Sequence, residues 1–126
     1  MSIRKKVLVV DDEQDVLIYL STLFEDNGFE AVTASDGIRA LQTAKSEIPD
    51  LITLDITMPE QSGIKTYQHL KNDDQLRTIP VIIITAVGES IKSVLNEFAS
   101  FPKPEGFISK PVDQKSLIAL AKNLLS

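Results

Sequence analysis

A chain of 126 residues with a net charge of −5 and a pI near 4.8 has room for one core and lacks the basic surface that nucleic-acid binding requires. It has no cysteine and a single histidine, His69, which excludes disulfides, thiolate zinc sites and multi-histidine metal sites within one chain. No stretch approaches the roughly 20 apolar residues of a membrane span, and the apolar run at residues 7–10 is too short for a signal peptide and ends in acids, so a cytoplasmic protein without membrane contact is expected.

The basic cluster Arg4-Lys5-Lys6 reads as a solvated lead-in to a first strand. That strand, Val7-Leu8-Val9-Val10, is an unbroken β-branched-rich run, the mark of a strand covered on both faces. Val16, Leu17, Leu20, Leu23 and Phe24 follow at helical spacing, and Asn27-Gly28 is a stop signal. Residues 29–34 read as a weaker strand. Ile38, Leu41 and Ala44 mark a short amphipathic helix entered through Ser35-Asp36. Pro49-Asp50 precedes a third strand, Leu51-Ile52-Thr53-Leu54. A loop at residues 55–62 contains Pro59 and ends at Gly63; Ile64, Tyr67 and Leu70 then give a third helix. Pro80 introduces the clearest strand, Val81-Ile82-Ile83-Ile84. Ile91, Val94, Leu95 and Phe98 predict a fourth helix, Gly106-Phe107-Ile108 a short fifth strand, and Asp113 a cap for a last helix carrying Leu117, Ile118, Ala121, Leu124 and Leu125. Tyr19 and Tyr67 read as packing residues and His69 as a surface residue.

Alternation of this kind predicts parallel strands joined by right-handed helical crossovers, with helices on both faces. With no linker or repeat, and Ser126 closing the last helix, one domain over residues 1–126 is expected.

Ligands of open α/β sheets bind beyond the carboxyl ends of the strands. There the first strand ends in Asp11-Asp12, the third in Asp55, the fourth in Thr85-Ala86, and the fifth is followed by Ser109-Lys110-Pro111. Each residue alone is commonplace: Asp pairs cap helices, an Asp after a strand makes a turn, a lysine is often a solvated charge. Their joint placement at four strand ends is not. Two like charges about 4 Å apart repel by about 4 kcal/mol at an effective dielectric near 20, so three carboxylates need compensation. Lys110 and one divalent cation would supply it, and all-oxygen ligands favour Mg²⁺ or Mn²⁺. Asp55 in that setting is a suited nucleophile for phosphorus, giving an aspartyl phosphate, and Thr85 can donate its hydroxyl to a phosphoryl oxygen.

The segments Val7-Leu8-Val9-Val10-Asp11-Asp12-Glu13, Asp55-Ile56-Thr57-Met58-Pro59-Glu60-Gln61-Ser62-Gly63, Thr85-Ala86 and Phe107-Ile108-Ser109-Lys110-Pro111 together resemble the receiver domain of bacterial two-component response regulators. The resemblance spans essentially the whole chain. It implies a flavodoxin-like (βα)5 fold with strand order 2-1-3-4-5 and Asp55 as phosphoacceptor. It implies a metal held by Asp11, Asp12, Asp55 and the backbone carbonyl of Thr57. Thr85 and Phe107 match the switch hydroxyl and switch aromatic, Lys110 the phosphate-contacting lysine, and the Lys110-Pro111 bond is expected to be cis. A histidine kinase or phosphotransfer protein is the implied phosphoryl donor. The chain would catalyse only its own phosphorylation and dephosphorylation, and act as a monomer or a phosphorylation-dependent dimer on an output partner. Thr57 and Val87 match the positions that flank the path of a hydrolytic water, and neither can activate one, so slow self-dephosphorylation is expected. The chain departs from the family between the fourth and fifth strands: in place of the usual Gly-Ala pair just before strand five it reads Ala99-Ser100-Phe101-Pro102-Lys103-Pro104-Glu105-Gly106, a few residues longer, and the two prolines leave the output face and partner geometry open.

Two rival readings differ in class. A phosphatase of the haloacid dehalogenase type needs a second Asp two residues after the nucleophile, where this chain has Thr57. A receiver-like module that works without phosphorylation usually lacks one of the acids or the lysine, and none is missing here.

Overall fold

In the computed structural model, which describes residues 4–57, 62–85 and 102–126, the apolar runs become neighbouring strands of one parallel sheet. The strands are β1 (Lys6–Val10), β2 (Glu30–Ala34), β3 (Leu51–Asp55), β4 (Val81–Thr85) and β5 (Gly106–Ser109). Their order is β2-β1-β3-β4-β5, as expected, and every pairing is parallel. Four helices accompany them among the described residues: α1 (Gln14–Asp26), α2 (Gly37–Glu47), α3 (Ser62–Asn72) and α4 (Gln114–Leu124).

Side chains alternate across the sheet, and this sorts the core into two layers. Leu8, Val10, Ile52, Leu54 and Ile83 pack against Ala40 and Ala44 of α2 and Tyr67 and Leu70 of α3. Val7, Val9, Leu51, Ile82 and Ile84 meet Leu17, Leu20 and Phe24 of α1 and Leu117, Ile118 and Ala121 of α4. β3 and β4 are buried along their whole length, and the edge strands β2 and β5 are only half-covered. Each buried aliphatic side chain contributes about 1.5–3 kcal/mol, so the central strands carry most of the driving force for closing the sheet.

The expected punctuation is in place. Asn27 closes α1, and Gly28 follows at φ 91°. The Asp36 carboxylate accepts from the Arg39 amide at 2.8 Å, and Asp113 from the Ser116 amide at 2.9 Å, capping α2 and α4. The Lys110-Pro111 peptide is cis. The second strand starts at Glu30; Phe29 instead turns into the core, edge-on to Phe24 with ring centroids 5.6 Å apart.

Tyr19 does not pack as the sequence suggested. It is 44% exposed, and its hydroxyl accepts from Gln114 Nε2 at 2.7 Å. It lies two residues beyond Leu17, about 200° around the helix from the buried face. Tyr67 is fully buried, and His69 is exposed. The fourth predicted helix, through Ile91 and Phe98, lies outside the described residues.

The unusual Pro102–Pro104 region is tied to its surroundings by a polar cluster. The Tyr67 hydroxyl donates to the carbonyl of Pro102. Glu105 accepts from the Val81 amide at 2.8 Å and from Lys71 Nζ at 3.4 Å. The Lys71 side chain, only 5% exposed, also donates to the carbonyls of Arg77 and Ile79 and lies 5.6 Å from the centre of the Tyr67 ring. A buried ammonium needs such partners, and here they bind α3, the approach to β4 and the segment before β5 into one unit.

Candidate functional site

Parallel register brings the carboxyl ends of four strands to one edge. Val10 stands opposite Leu54, Asp55 opposite Ile84, and Thr85 opposite Ser109. Backbone hydrogen bonds extend the ladder past the strand ends: the Asp11 amide donates to the Ala34 carbonyl, Ile56 to Ile84, and Lys110 to Thr85. Asp11, Asp55, Thr85 and Lys110 are thus fixed by main chain before any side chain acts.

Asp11 and Asp55 are buried at 0% and 1% exposure, while Asp12 is exposed. One carboxylate oxygen from each of the three lies within 4.8 Å of the others. Lys110 Nζ reaches Asp55 Oδ2 at 3.1 Å and Asp11 Oδ2 at 3.5 Å. Thr85 is buried one position past the residue level with Asp55 on the adjacent strand. Phe107 is half-buried and packs against the core layer beneath α2 and α3. Of the residues singled out from sequence, Asp11, Asp12, Asp55 and Lys110 therefore meet in one pocket, Thr85 sits at its edge, and Phe107 lies farther back on β5.

Three contacts here were not read from sequence. The Glu13 amide donates to Asp11 Oδ1 at 2.9 Å. Thr57 donates to Asp55 Oδ1 twice, through its amide at 2.8 Å and its hydroxyl at 2.5 Å. Spacing alone could have found the amide contacts, because an Asp side chain accepting from the residue two ahead is an Asx turn. The third is Gly63, in the first turn of α3. A Cβ there would sit 2.5 Å from Ile56 Cα and 2.8 Å from the Asp55 carbonyl oxygen. Only a glycine lets the helix lie this close to the loop that carries Asp55. Met58, Pro59 and Val87 lie outside the described residues.

The electrostatics separate the two buried acids. Burial pushes the Asp11 carboxyl up to about 6; the Glu13 amide opposes this and the nearby Asp55 charge adds to it. Burial also raises Asp55, but the Thr57 hydroxyl and amide and the Lys110 ammonium outweigh it and hold this carboxyl below its ordinary value. Burial lowers Lys110, and its two acid partners more than restore it, so it stays charged. The pocket thus pairs an ionised Asp55 and a charged Lys110 with an Asp11 that readily exchanges a proton for another cation. Three oxygen donors with net negative charge suit a hard divalent ion.

A family model for the response regulator receiver domain matches residues 7–122. The chain belongs to that family. The receiver domain is 35% identical over 122 residues to the alkaline phosphatase synthesis transcriptional regulatory protein PhoP of Bacillus subtilis, an alignment covering 96% of this chain and 48% of PhoP. It is 34% identical to the polar-differentiation response regulator DivK of Brucella anthropi, with 96% of both chains covered. Among solved structures, the chemotaxis protein CheY4 of Vibrio cholerae superposes with a TM-score of 0.87 at 26% identity, covering 98% of this chain and all of CheY4. The chain is accordingly a phosphoacceptor domain of two-component signal transduction. Its acidic pocket is of the kind in which receiver domains hold Mg²⁺. Among the described residues no helix is long and apolar enough to cross a membrane.

Proposed function

We propose that Asp55 is the residue that takes the phosphoryl group, from a phosphohistidine on a histidine kinase or phosphotransfer protein. The observation that carries this reading is the state of Asp55: it is the one acid within the central strand β3, buried, held ionised, and 3.1 Å from Lys110 Nζ. An Asp55 oxygen attacks phosphorus, an O–P bond forms, and the donor's P–N bond breaks with its electron pair remaining on the imidazole nitrogen. Lys110 neutralises charge on the transferring oxygens, and the buried strand ends fix the line of attack. Mg²⁺, when bound by Asp11, Asp12, Asp55 and the Thr57 carbonyl, supplies further neutralisation of the phosphoryl oxygens. In this sense the domain catalyses its own modification. Thr85 then donates its hydroxyl to the phosphoryl group, and Phe107, on the neighbouring strand, follows the movement of Thr85 and alters the surface offered to an output partner or to a second copy of the chain.

The test is intact-mass measurement after incubation with acetyl phosphate and Mg²⁺. The native chain should gain one phosphoryl mass, and Asp55→Asn should gain none. Equal labelling of both would sink the assignment. A native chain that stays unlabelled even with a phosphohistidine donor would instead favour a module that works without phosphorylation.

A further inference from the structure

A carboxylate offers about four lone-pair positions, two on each oxygen. At Asp55, both positions on Oδ1 are taken, by the Thr57 amide at 2.8 Å and the Thr57 hydroxyl at 2.5 Å. Oδ2 accepts from Lys110 Nζ at 3.1 Å, and the Asp11 carboxyl lies within hydrogen-bond reach of Asp55, so at most one position is free, and only when Asp11 is ionised and donates nothing. Holding a cation and attacking phosphorus requires two. One of the three donors must let go before the acceptor can be used.

The three are not equally free to do so. The Thr57 amide belongs to a loop whose Ile56 Cα is pressed against Gly63 of α3, so moving it means moving backbone. Lys110 bridges two buried carboxylates and is their only ammonium among the described residues; without it the two charges of an entering cation do not balance the three acids. The Thr57 hydroxyl needs only to turn about its Cα–Cβ bond between staggered positions. Thr57 is exposed, so water takes over the hydroxyl as it turns.

We propose that the Thr57 hydroxyl is a removable cap on the phosphoacceptor: it occupies Asp55 Oδ1 while the site is empty and turns away when a divalent cation enters. This rests on Asp55 being the acceptor. Thr57 is then a positioning residue twice over, lending its carbonyl to the cation and withholding an Asp55 oxygen from it until the hydroxyl rotates. A side chain of the same shape without the hydroxyl would leave that oxygen open, and the cation would no longer have to displace a hydrogen bond to bind.

The experiment is an Mg²⁺ titration at pH 8, followed by NMR shifts of backbone amides, on the native chain, Thr57→Val and Thr57→Ser. Valine keeps the branched shape and the amide contact and removes only the hydroxyl; serine keeps the hydroxyl. Thr57→Val should bind Mg²⁺ about three- to tenfold more tightly, the size of one modest net hydrogen bond, and Thr57→Ser should stay within about twofold of native. Affinity in Thr57→Val equal to or weaker than native overturns the cap, as does a serine variant that behaves like valine. Acetyl phosphate labelling of the same three proteins separates the two readings. Labelled proteins with equal Mg²⁺ affinity defeat the cap alone, whereas absence of label from all three, with a phosphohistidine donor as well as with acetyl phosphate, defeats Asp55 as acceptor.

Discussion

Ile48 holds its backbone at φ 43°, the left-handed region that β-branched residues avoid. It closes α2 by donating its amide to the Ala44 carbonyl at 2.9 Å, yet its side chain is half exposed and recovers little by packing. The left-handed conformation costs a non-glycine residue about 1–2 kcal/mol, and glycine returns part of that as lost chain freedom in the unfolded state. Ile48→Gly should therefore stabilise the domain by about 0.5–1 kcal/mol, raising Tm by roughly 2–4 °C. Thermal unfolding of the two proteins decides it, and a lower Tm in the variant would mean that the side chain matters more than the backbone. Nothing in the sequence announces this strain. Pro49 warns that the helix must end, but not that the residue before it turns left-handed. The acids are the opposite case. Asp11, Asp55 and Lys110 were legible because strand ends are legible, and topology carries a strand-end residue to the ligand edge whatever surrounds it. What lay beyond reading was how each is bonded. Thr57 was expected to matter for its carbonyl, and its hydroxyl emerged only once the loop had a shape.

Among the elements, α3 has the most consequence for the site. Its sequence reads as an ordinary amphipathic helix introduced by a glycine. In the fold that glycine is a contact point, with the helix's first turn laid on the backbone of Ile56. Gly63→Ala puts a methyl group 2.5 Å from Ile56 Cα, where no flexible side chain can yield, so the helix and the loop that carries Asp55 must part. Overpacking of this kind costs about 1–3 kcal/mol. A displaced near-attack geometry costs on the order of a hundredfold in rate for a shift of about 1 Å. The variant should unfold at lower urea concentration, and even where fully folded it should take phosphoryl from acetyl phosphate at least about tenfold more slowly than native. Native labelling rates in folded Gly63→Ala would show that the loop adjusts without harm. The far end of α3 carries a different lesson. The two prolines before β5 pointed to an altered segment, and the sequence could say only that a helix does not continue through them. The partners that settle it, Lys71, Tyr67 and Glu105, come from places up to 38 residues apart, and no local pattern brings them together.

At the scale of the whole molecule, the parallel order β2-β1-β3-β4-β5 was readable because apolar runs alternating with helical periods leave few other arrangements. The charge balance at the sheet edge was readable only in outline: three acids and one lysine implied a missing cation, but not which acid would hold a proton in its place. Burial assigns that proton to Asp11, whose carboxyl is raised from 3.8 to about 6. The sign follows directly. Between these values the folded chain binds a proton that the unfolded chain has lost, so Asp11 favours the metal-free fold toward low pH, and that advantage is gone once pH has risen through about 6. A cation needs the ionised form, so Mg²⁺ affinity runs the other way. It should be level above about pH 7 and fall up to about tenfold per unit below pH 6. Calorimetric titrations at pH 7.5 and pH 5 test this, and an affinity independent of pH across that interval would remove Asp11 from the cation's ligands.

Asp11 and Lys110 touch across 99 positions of chain, and this separation has a bearing on how the protein is made. A ribosome releases both buried acids long before it releases the lysine that lies between them. Until β5 settles beside β4, Asp11 and Asp55 face each other without their ammonium, a repulsion of about 4 kcal/mol at close range. The edge of the sheet is then better left open or protonated than closed and charged. The acidic pocket is therefore complete, with its charges paired, only once the chain has been made through Lys110.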